Sequence, residues 1–175
     1  MKYLPIENNL FIINRKNFVS RIKPKSIAIF HANDEFPRSG DQTFIFKQNP
    51  DFFYLTGIDQ EQSILLLFPD CPNSVYKEVL FLRQTNEHIA VWEGHKYTKE
   101  EAKQASGIES IYWLSEFNNI LHSIINYADN IYINTNENDR FSFSVPYRDL
   151  RMFEDLRAKY PLHNYGRSAL SLIHI

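Results

Sequence analysis

The stretch FIFKQNPDFFYLTG, residues 44–57, gathers aromatic and polar side chains around a single proline. The alternation of side chains over residues 44–47 predicts a half-buried strand. The Asn-Pro-Asp sequence at 49–51 predicts a turn, and residues 53–56 are expected to begin the next extended segment. Periodicity alone does not explain why so many aromatic side chains stand together here.

Apolar segments on both sides of this stretch predict further strands. Residues 26–32 precede it, and near-continuous apolar runs follow it at 63–68 and 77–82, as is typical of strands covered on both faces. Shorter strands are predicted farther along the chain, at residues 88–92, 110–114 and 130–134.

Helical patterns alternate with the later strands. Thr98 and Glu101 have the spacing of a capping box, and Gly107 stands where a helix end favours a left-handed residue. Asn14 and Ser115 are candidate N-caps of two other helices. The predicted helices cover residues 14–22, 98–107, 115–128 and 145–160, the last with Pro146 near its first turn.

The order of these elements predicts the fold class. Short gaps separate the first strands, whereas helices separate the last ones, which favours a mixed sheet over a purely parallel one. We therefore expect one α/β domain with a five- to six-stranded mixed sheet flanked by helices.

Composition narrows the functional classes. The 175 residues are 43% hydrophobic and 23% charged, with a net charge of −2, which fits a globular domain and argues against a nucleic-acid partner. The single cysteine, Cys71, cannot form an internal disulfide, and no apolar run reaches the ~18 residues of a membrane span. We expect a cytoplasmic protein with no membrane partner.

The residues that usually carry chemistry do not form a recognisable centre. The five glycines are too far apart for a phosphate-binding loop, and the six histidines form no His-Glu-x-x-His motif. His88 and His95 have carboxylates nearby but are interpreted as surface residues, not metal ligands. Cys71 has no basic neighbour that would activate it. We therefore predict neither a catalytic nor a metal-binding residue in this chain.

Residues 41–68 resemble the N-terminal domain of the aminopeptidase P and creatinase family, the Xaa-Pro aminopeptidases. The family pattern there is an aspartate followed by an aromatic run that ends in Tyr-Leu-Thr-Gly. The matching positions are Asp41, Phe44, Phe46, Lys47, Gln48, Asp51, Phe52, Tyr54, Leu55, Thr56 and Gly57. Lys47 stands where the family usually has arginine, and an ammonium does not replace a planar guanidinium one for one.

A second element extends the resemblance. VLFLRQTNEHIAVWEG, residues 79–94, resembles the family's next strand and its Glu-x-x-Trp-x-Gly element, through Arg83, Trp92 and Gly94 and through Glu87 or Glu93. The likeness covers roughly residues 14 to 130 well. It implies the fold of the creatinase N-terminal domain.

The resemblance also implies a larger enzyme. Residues 1–175 would form a single non-catalytic N-terminal domain, inactive alone, and a catalytic domain would follow it. In the family that second domain binds two divalent metals, often manganese, through two Asp, one His and two Glu. None of these ligands can be placed in this chain, so we expect no cofactor here. The family removes the first residue from peptides that have proline second.

Four residues are expected to face the substrate cleft or a neighbouring subunit: Asp41, Lys47, Tyr54 and Trp92. In some family members the tryptophan of this element reaches the active site of a neighbouring subunit, where Trp92 would pack against proline. The alternative is that Trp92 closes the core at a strand end. Asp41 would orient Lys47 or cap a turn. The expected partners are the protein's own catalytic domain, neighbouring subunits and the peptide substrate.

Two alternative functions stay open. The chain could be a free-standing module of the same fold that binds peptides or a protein partner with its aromatic face. It could also be the N-terminal domain of a prolidase or creatinase, because the reaction is set by residues of the other domain.

Overall fold

A computed structural model describes residues 6–40, 42–84, 94–135 and 147–167. Its centre is a six-stranded mixed sheet with the order β6-β5-β4-β1-β7-β8, next to a small β2-β3 hairpin. The strands are β1 (Ser26–His31), β2 (Pro37–Ser39), β3 (Gln42–Thr43), β4 (Ile64–Leu67), β5 (Glu78–Leu82), β6 (Ser110–Trp113), β7 (Asn130–Ile133) and β8 (Asn164–Arg167). The helices are α1 (Asn8–Val19), α2 (Pro50–Thr56), α3 (Lys99–Ser106), α4 (Phe117–Ile124) and α5 (Arg148–Lys159).

Five of the six strands in the large sheet run in one direction. Only β4 is reversed, since it pairs antiparallel with both β1 and β5, whereas β5–β6, β1–β7 and β7–β8 are parallel pairs. The predicted α/β class and mixed sheet are therefore confirmed, with six strands.

Helices cover both faces of the sheet, which explains the continuous apolar strands. Along β1, Ile27 and Ile29 face the core under α4 and α5, whereas Ala28 and Phe30 face the core under α1, α2 and α3. All four side chains are completely buried. A strand covered on both faces needs apolar residues at every position rather than at alternate positions.

The extended segment predicted at residues 53–56 is wrong. Pro50–Thr56 is a helix, because the Asn49 side chain accepts hydrogen bonds from the backbone N–H groups of Asp51 and Phe52, and Pro50 occupies the first turn. Gly57 ends the helix with φ 70°. These start and stop signals outweigh the strand preference of the aromatic residues.

The half-buried strand predicted over residues 44–47 is also wrong. The paired residues end at Thr43, and the Phe44 N–H donates to the Phe36 carbonyl across the hairpin. Phe44 is 59% exposed and Ile45 is 87% exposed. The alternation of side chains therefore does not correspond to a face of the large sheet.

Two predicted N-caps differ from the observed ones. The first helix begins at Asn8, so Asn14 lies inside α1, where its buried side chain donates to the Tyr54 carbonyl at 2.8 Å. Residues Leu114–Glu116 form a 3-10 turn before α4, and Ser115 caps no helix there. Asn14 therefore lies in the middle of a helix, and Ser115 lies in the 3-10 turn, so neither residue is an N-cap.

Other boundaries agree with the sequence. Thr98 and Glu101 form the predicted capping box, and Gly107 follows α3 with φ 71°. Strands over 26–31, 64–67, 78–82, 110–113 and 130–133 match the predicted ones to within a residue or two at each end. The strand predicted at 88–92 and Pro146 lie outside the described residues, and β8 was not predicted.

A Gly57→Ala variant is expected to lower the free energy of unfolding by about 3 kcal/mol. A left-handed φ costs an L-residue roughly 1–2 kcal/mol, and displacing a packed ring adds about 1–3 kcal/mol. An added Cβ would lie 2.3 Å from the Phe11 ring. Urea unfolding monitored by circular dichroism measures the loss.

Gly40→Ala is the matched control. Gly40 has φ 56°, but nothing lies within 4 Å of an added Cβ, so only the backbone cost of about 1–2 kcal/mol is expected. Equal losses in the two variants would show that the close approach of Gly57 to Phe11 adds nothing.

Candidate functional site

The carboxyl ends of five strands meet at one edge of the sheet. Strands β1, β5, β6, β7 and β8 all end there, and the reversed strand β4 begins there. In open α/β sheets the loops that leave this edge carry the binding residues. We call it the carboxyl edge, and it is the candidate site.

Gln48 organises the loops of the carboxyl edge. Its side-chain oxygen accepts hydrogen bonds from the N–H groups of Asn33, at 3.2 Å, and Asn49, at 2.8 Å. Its nitrogen donates to the carbonyls of Ile58, at 3.0 Å, and Gln60, at 2.9 Å. One amide therefore connects the chain after β1, the start of α2 and the chain that leads to β4.

A buried carboxylate holds a second part of this edge. Glu61 is 4% exposed, and its Oε1 lies 2.5 Å from Lys96 Nζ and 3.6 Å from Arg83 Nη1. The neighbouring Gln60 accepts a hydrogen bond from the Tyr97 N–H at 2.7 Å. Glu61 thus contacts the described chain both before residue 85, at Arg83, and after residue 93, at Lys96.

The third polar group lies between the ends of β1 and β7. His31 ends β1, and its Nδ1 lies 2.7 Å from an oxygen of Asp149 in the first turn of α5. Asn134 follows β7 and donates to Asp51 in the first turn of α2 at 2.8 Å. These two pairs tie helices from opposite faces of the sheet to adjacent parallel strands.

Two arginines of α5 complete this group. Arg151 donates to Asp34 at 3.0 Å. Arg148 has a buried Nη1 that has no hydrogen-bond partner among the described residues. Burial lowers the pKa of Arg148, whereas the nearby charges of Asp34 and Asp149 raise it.

Asp51 carries a perturbed carboxyl group at the same place. Burial raises the pKa of Asp51 above its ordinary value, the hydrogen bond from Asn134 lowers it, and the charge of Asp149 raises it further. The net shift is upward, so the structure disfavours the ionised form of Asp51.

The four predicted site residues do not form one described cluster. Asp41 and Trp92 lie outside the described residues. Lys47 is exposed, and its carbonyl accepts a hydrogen bond from the Asn33 side chain at 2.9 Å. Tyr54 is half-buried in α2 and packs against the core under α1, α2 and α3. Their assignment to the substrate cleft stays a prediction.

Sequence reasoning missed most of the polar contacts at this edge. His31 and Asp149 are 118 residues apart, and Glu61 and Lys96 are 35 residues apart. No local spacing indicates such pairs. Gln48 belonged to the recognised pattern, yet its role as a connection between loops depends on backbone groups that the pattern does not show.

The described part of the chain shows no metal-binding cluster and one buried thiol. In residues 6–40, 42–84, 94–135 and 147–167, no three His, Cys, Asp or Glu side chains converge into a group that could hold a metal ion. No helix within these ranges is long and apolar enough to cross a membrane. Cys71 is buried, and burial raises the pKa of its thiol, which disfavours the nucleophilic thiolate.

Comparison with protein families gives a match over most of the chain. The model of the aminopeptidase P N-terminal domain matches residues 11–132. A Xaa-Pro aminopeptidase of Escherichia coli is 28% identical over 127 residues, covering 73% of this chain and 29% of the relative. A Xaa-Pro aminopeptidase of Haemophilus influenzae is 30% identical over 125 residues, covering 71% of this chain and 28% of the relative. The chain thus spans less than a third of these curated relatives.

Solved structures share the fold. An Escherichia coli aminopeptidase P in a low-pH form superposes with a TM-score of 0.70 and 25% identity, over 93% of this chain and 36% of that one. A Pseudomonas aeruginosa aminopeptidase superposes with a TM-score of 0.72 over 94% of this chain and 36% of that one. At 22% sequence identity, this second match shows a shared fold and nothing more.

Replacing Gln48 with Glu is expected to destabilise the chain by about 3 kcal/mol, since two donated hydrogen bonds are lost and a carboxylate oxygen then faces two carbonyls. The midpoint of urea unfolding is the measurement. Lys47→Met is the control at the adjacent, exposed position and should change stability by less than about 0.5 kcal/mol. Similar losses in both variants would contradict the role of Gln48.

Asp51→Asn is expected to raise the melting temperature at pH 7 but not at pH 3. The pKa of Asp51 is higher in the folded chain than in the unfolded one. The protonated Asp51 carboxyl therefore favours the folded chain relative to the ionised one. This stability is fully present below the unfolded pKa of about 4 and is lost as the pH rises through the folded pKa. Asparagine carries no charge and avoids this loss, so its advantage should shrink as the pH falls.

Melting curves between pH 3 and pH 7 measure this dependence. Asp155→Asn serves as the control, because Asp155 is exposed and pairs with Lys159 at 2.8 Å. It should show no gain at pH 7. A gain for Asp51→Asn that is constant across the range would contradict the raised pKa.

Proposed function

Because the chain belongs to the family of aminopeptidase P N-terminal domains, we propose that it is the non-catalytic N-terminal domain of a longer Xaa-Pro aminopeptidase-like metallopeptidase. It would wall the substrate cleft and contribute to oligomer assembly. The observation that carries the proposal is the family match over residues 11–132 in a chain that spans under a third of its curated relatives.

The donor set of the described residues does not fit the metals of such an enzyme. Two divalent ions such as manganese need converging carboxylate and imidazole ligands. The described residues offer no group of three His, Cys, Asp or Glu side chains that could hold a metal ion. We therefore place both metals in the domain that would follow this one.

The carboxyl edge supports a role in shaping the cleft. Glu61 holds Arg83 and Lys96, the described residues near the two ends of the segment that contains Trp92. The buried carboxylate of Glu61 thus fixes the described chain on both sides of residues 85–93. We propose that Trp92 contacts the proline of the peptide substrate in the catalytic site of a neighbouring subunit, with Asp41, Lys47 and Tyr54 as further cleft or subunit contacts.

We also propose that the protein is cytoplasmic. Cys71 is its sole cysteine, and it is unpaired and buried. Such use of cysteine is typical of a reducing compartment.

Activity measurements on two chains test the proposal. The purified 175-residue chain with added manganese should give no turnover of a Xaa-Pro peptide, whereas the longer protein should cleave it. Turnover by the short chain would refute the assignment as a non-catalytic domain. Absence of cleavage by a longer, metal-loaded protein would favour a peptide-binding module, or a prolidase or creatinase.

Trp92→Ala in the longer protein is expected to reduce kcat/KM for Xaa-Pro peptides and leave the melting temperature of this domain nearly unchanged. Trp113→Ala is the matched control, because Trp113 is the other tryptophan and packs against the core under α1, α2 and α3. It should lower stability instead. A loss of about 3–5 kcal/mol in Trp92→Ala would show that Trp92 fills the core.

A further inference from the structure

The β2-β3 hairpin carries apolar side chains that no described residue covers. Residues 35–40 and 42–45 are all exposed, so the hairpin projects from the large sheet. Phe36 is 63% exposed, Phe44 is 59% exposed and Ile45 is 87% exposed, and we call these three residues the hairpin patch. A two-stranded hairpin is marginally stable in water unless it packs against another structure. The patch therefore has the features of a surface that a partner covers.

The two phenylalanines of the hairpin patch are neighbours across the hairpin. Pro37 pairs with Thr43, and the Phe44 N–H donates to the Phe36 carbonyl at 2.9 Å. Phe36 and Phe44 are thus directly opposite each other, and opposite residues of an antiparallel pair share one face. Two exposed rings on one face fit an apolar partner surface.

The base of the hairpin is tied to the helix that precedes the last described strand. Asp34, two residues before Phe36, accepts a hydrogen bond from Arg151 of α5 at 3.0 Å. Helix α5 leads to β8, which ends at Arg167 at the carboxyl edge. Neighbouring strands lie about 4.8 Å apart, so β8 ends roughly 10 Å from the end of β1, where the chain enters the hairpin. A chain that continued from β8 would therefore pass beside the hairpin.

The size of the hairpin patch favours a partner within the same chain. Three side chains with these exposures offer roughly 400 Å² of apolar surface. A stable complex of separate proteins buries about 800 Å² on each partner. A domain of the same chain needs less contact area, because the covalent link removes most of the cost of association.

We propose that the hairpin patch docks against an apolar face of the domain that would follow this one in the same chain. The proposal rests on the proposed function, because it requires the longer protein. It goes further by naming the surface of this domain that joins the two domains. Docking also fixes Lys47, two residues after the patch, relative to the following domain.

Hydroxyl-radical footprinting of the 175-residue chain and of the longer protein tests the proposal without any substitution. Mass spectrometry measures the oxidation rates of Phe36, Phe44 and Ile45. We expect these rates to fall about fivefold or more in the longer protein, since residues in the core of an interface are almost fully buried. Tyr127, 57% exposed, and Leu162, 96% exposed, precede β7 and β8 at the opposite edge of the sheet, and their rates should not change.

The other outcomes overturn the docking. They are unchanged rates at the hairpin patch in the longer protein, or an equal fall at Tyr127 and Leu162. Protection of the 175-residue chain that grows with its concentration identifies a second copy as the partner instead. Protection of the longer protein that disappears when its oligomers dissociate on dilution identifies a neighbouring subunit instead.

The docking and the proposed function fail separately. Turnover of a Xaa-Pro peptide by the longer protein is measured in parallel with the footprinting. Turnover without protection of the hairpin patch refutes only the docking. Protection without turnover refutes only the proposed function and leaves the docking supported.

A double variant of the longer protein, Phe36→Ser with Phe44→Ser, is the second test. Without the two rings, the oxidation rate of Ile45 should rise to that of the 175-residue chain. Tyr127→Ser removes an aromatic side chain of similar exposure at the opposite edge and should leave the rate of Ile45 low. A low rate of Ile45 in both variants overturns the proposal.

Discussion

The hydrogen bonds of the Gln48 side chain are the interaction on which the arrangement of the carboxyl edge depends. A single amide uses both lone pairs and both protons, to Asn33, Asn49, Ile58 and Gln60. Buried backbone groups in loops need such partners, because no strand or helix supplies them. Gln48 therefore fixes the end of β1, the start of α2 and the approach to β4 together.

The direction of the strands brings several loops to that edge. Since only β4 is reversed, the loops after five strands leave from one side of the sheet. Glu61 holds the described chain around the segment of Trp92, and the His31–Asp149 pair holds α5 beside β1. Several polar groups are thus held in fixed positions along one edge of the sheet.

Sequence reasoning succeeded where the signal is local or repeats over many residues. The capping box at Thr98 and Glu101 involves groups only three residues apart. The continuous apolar runs of the central strands indicate that both faces of the sheet are buried. It failed at α2, where aromatic residues favour a strand but Asn49, Pro50 and Gly57 define a short helix. It also failed for Asn14, whose partner is the backbone of Tyr54, 40 residues away.

The sequence by itself determined the family, the α/β class and the covered strands, because these follow from local patterns and from a recognisable run of residues. Only the tertiary structure decided which polar side chains meet. His31 and Asp149, or Glu61 and Lys96, come together because strand order and direction bring distant segments to one edge. Pairing over such separations depends on the path of the whole chain, which no short window of sequence contains.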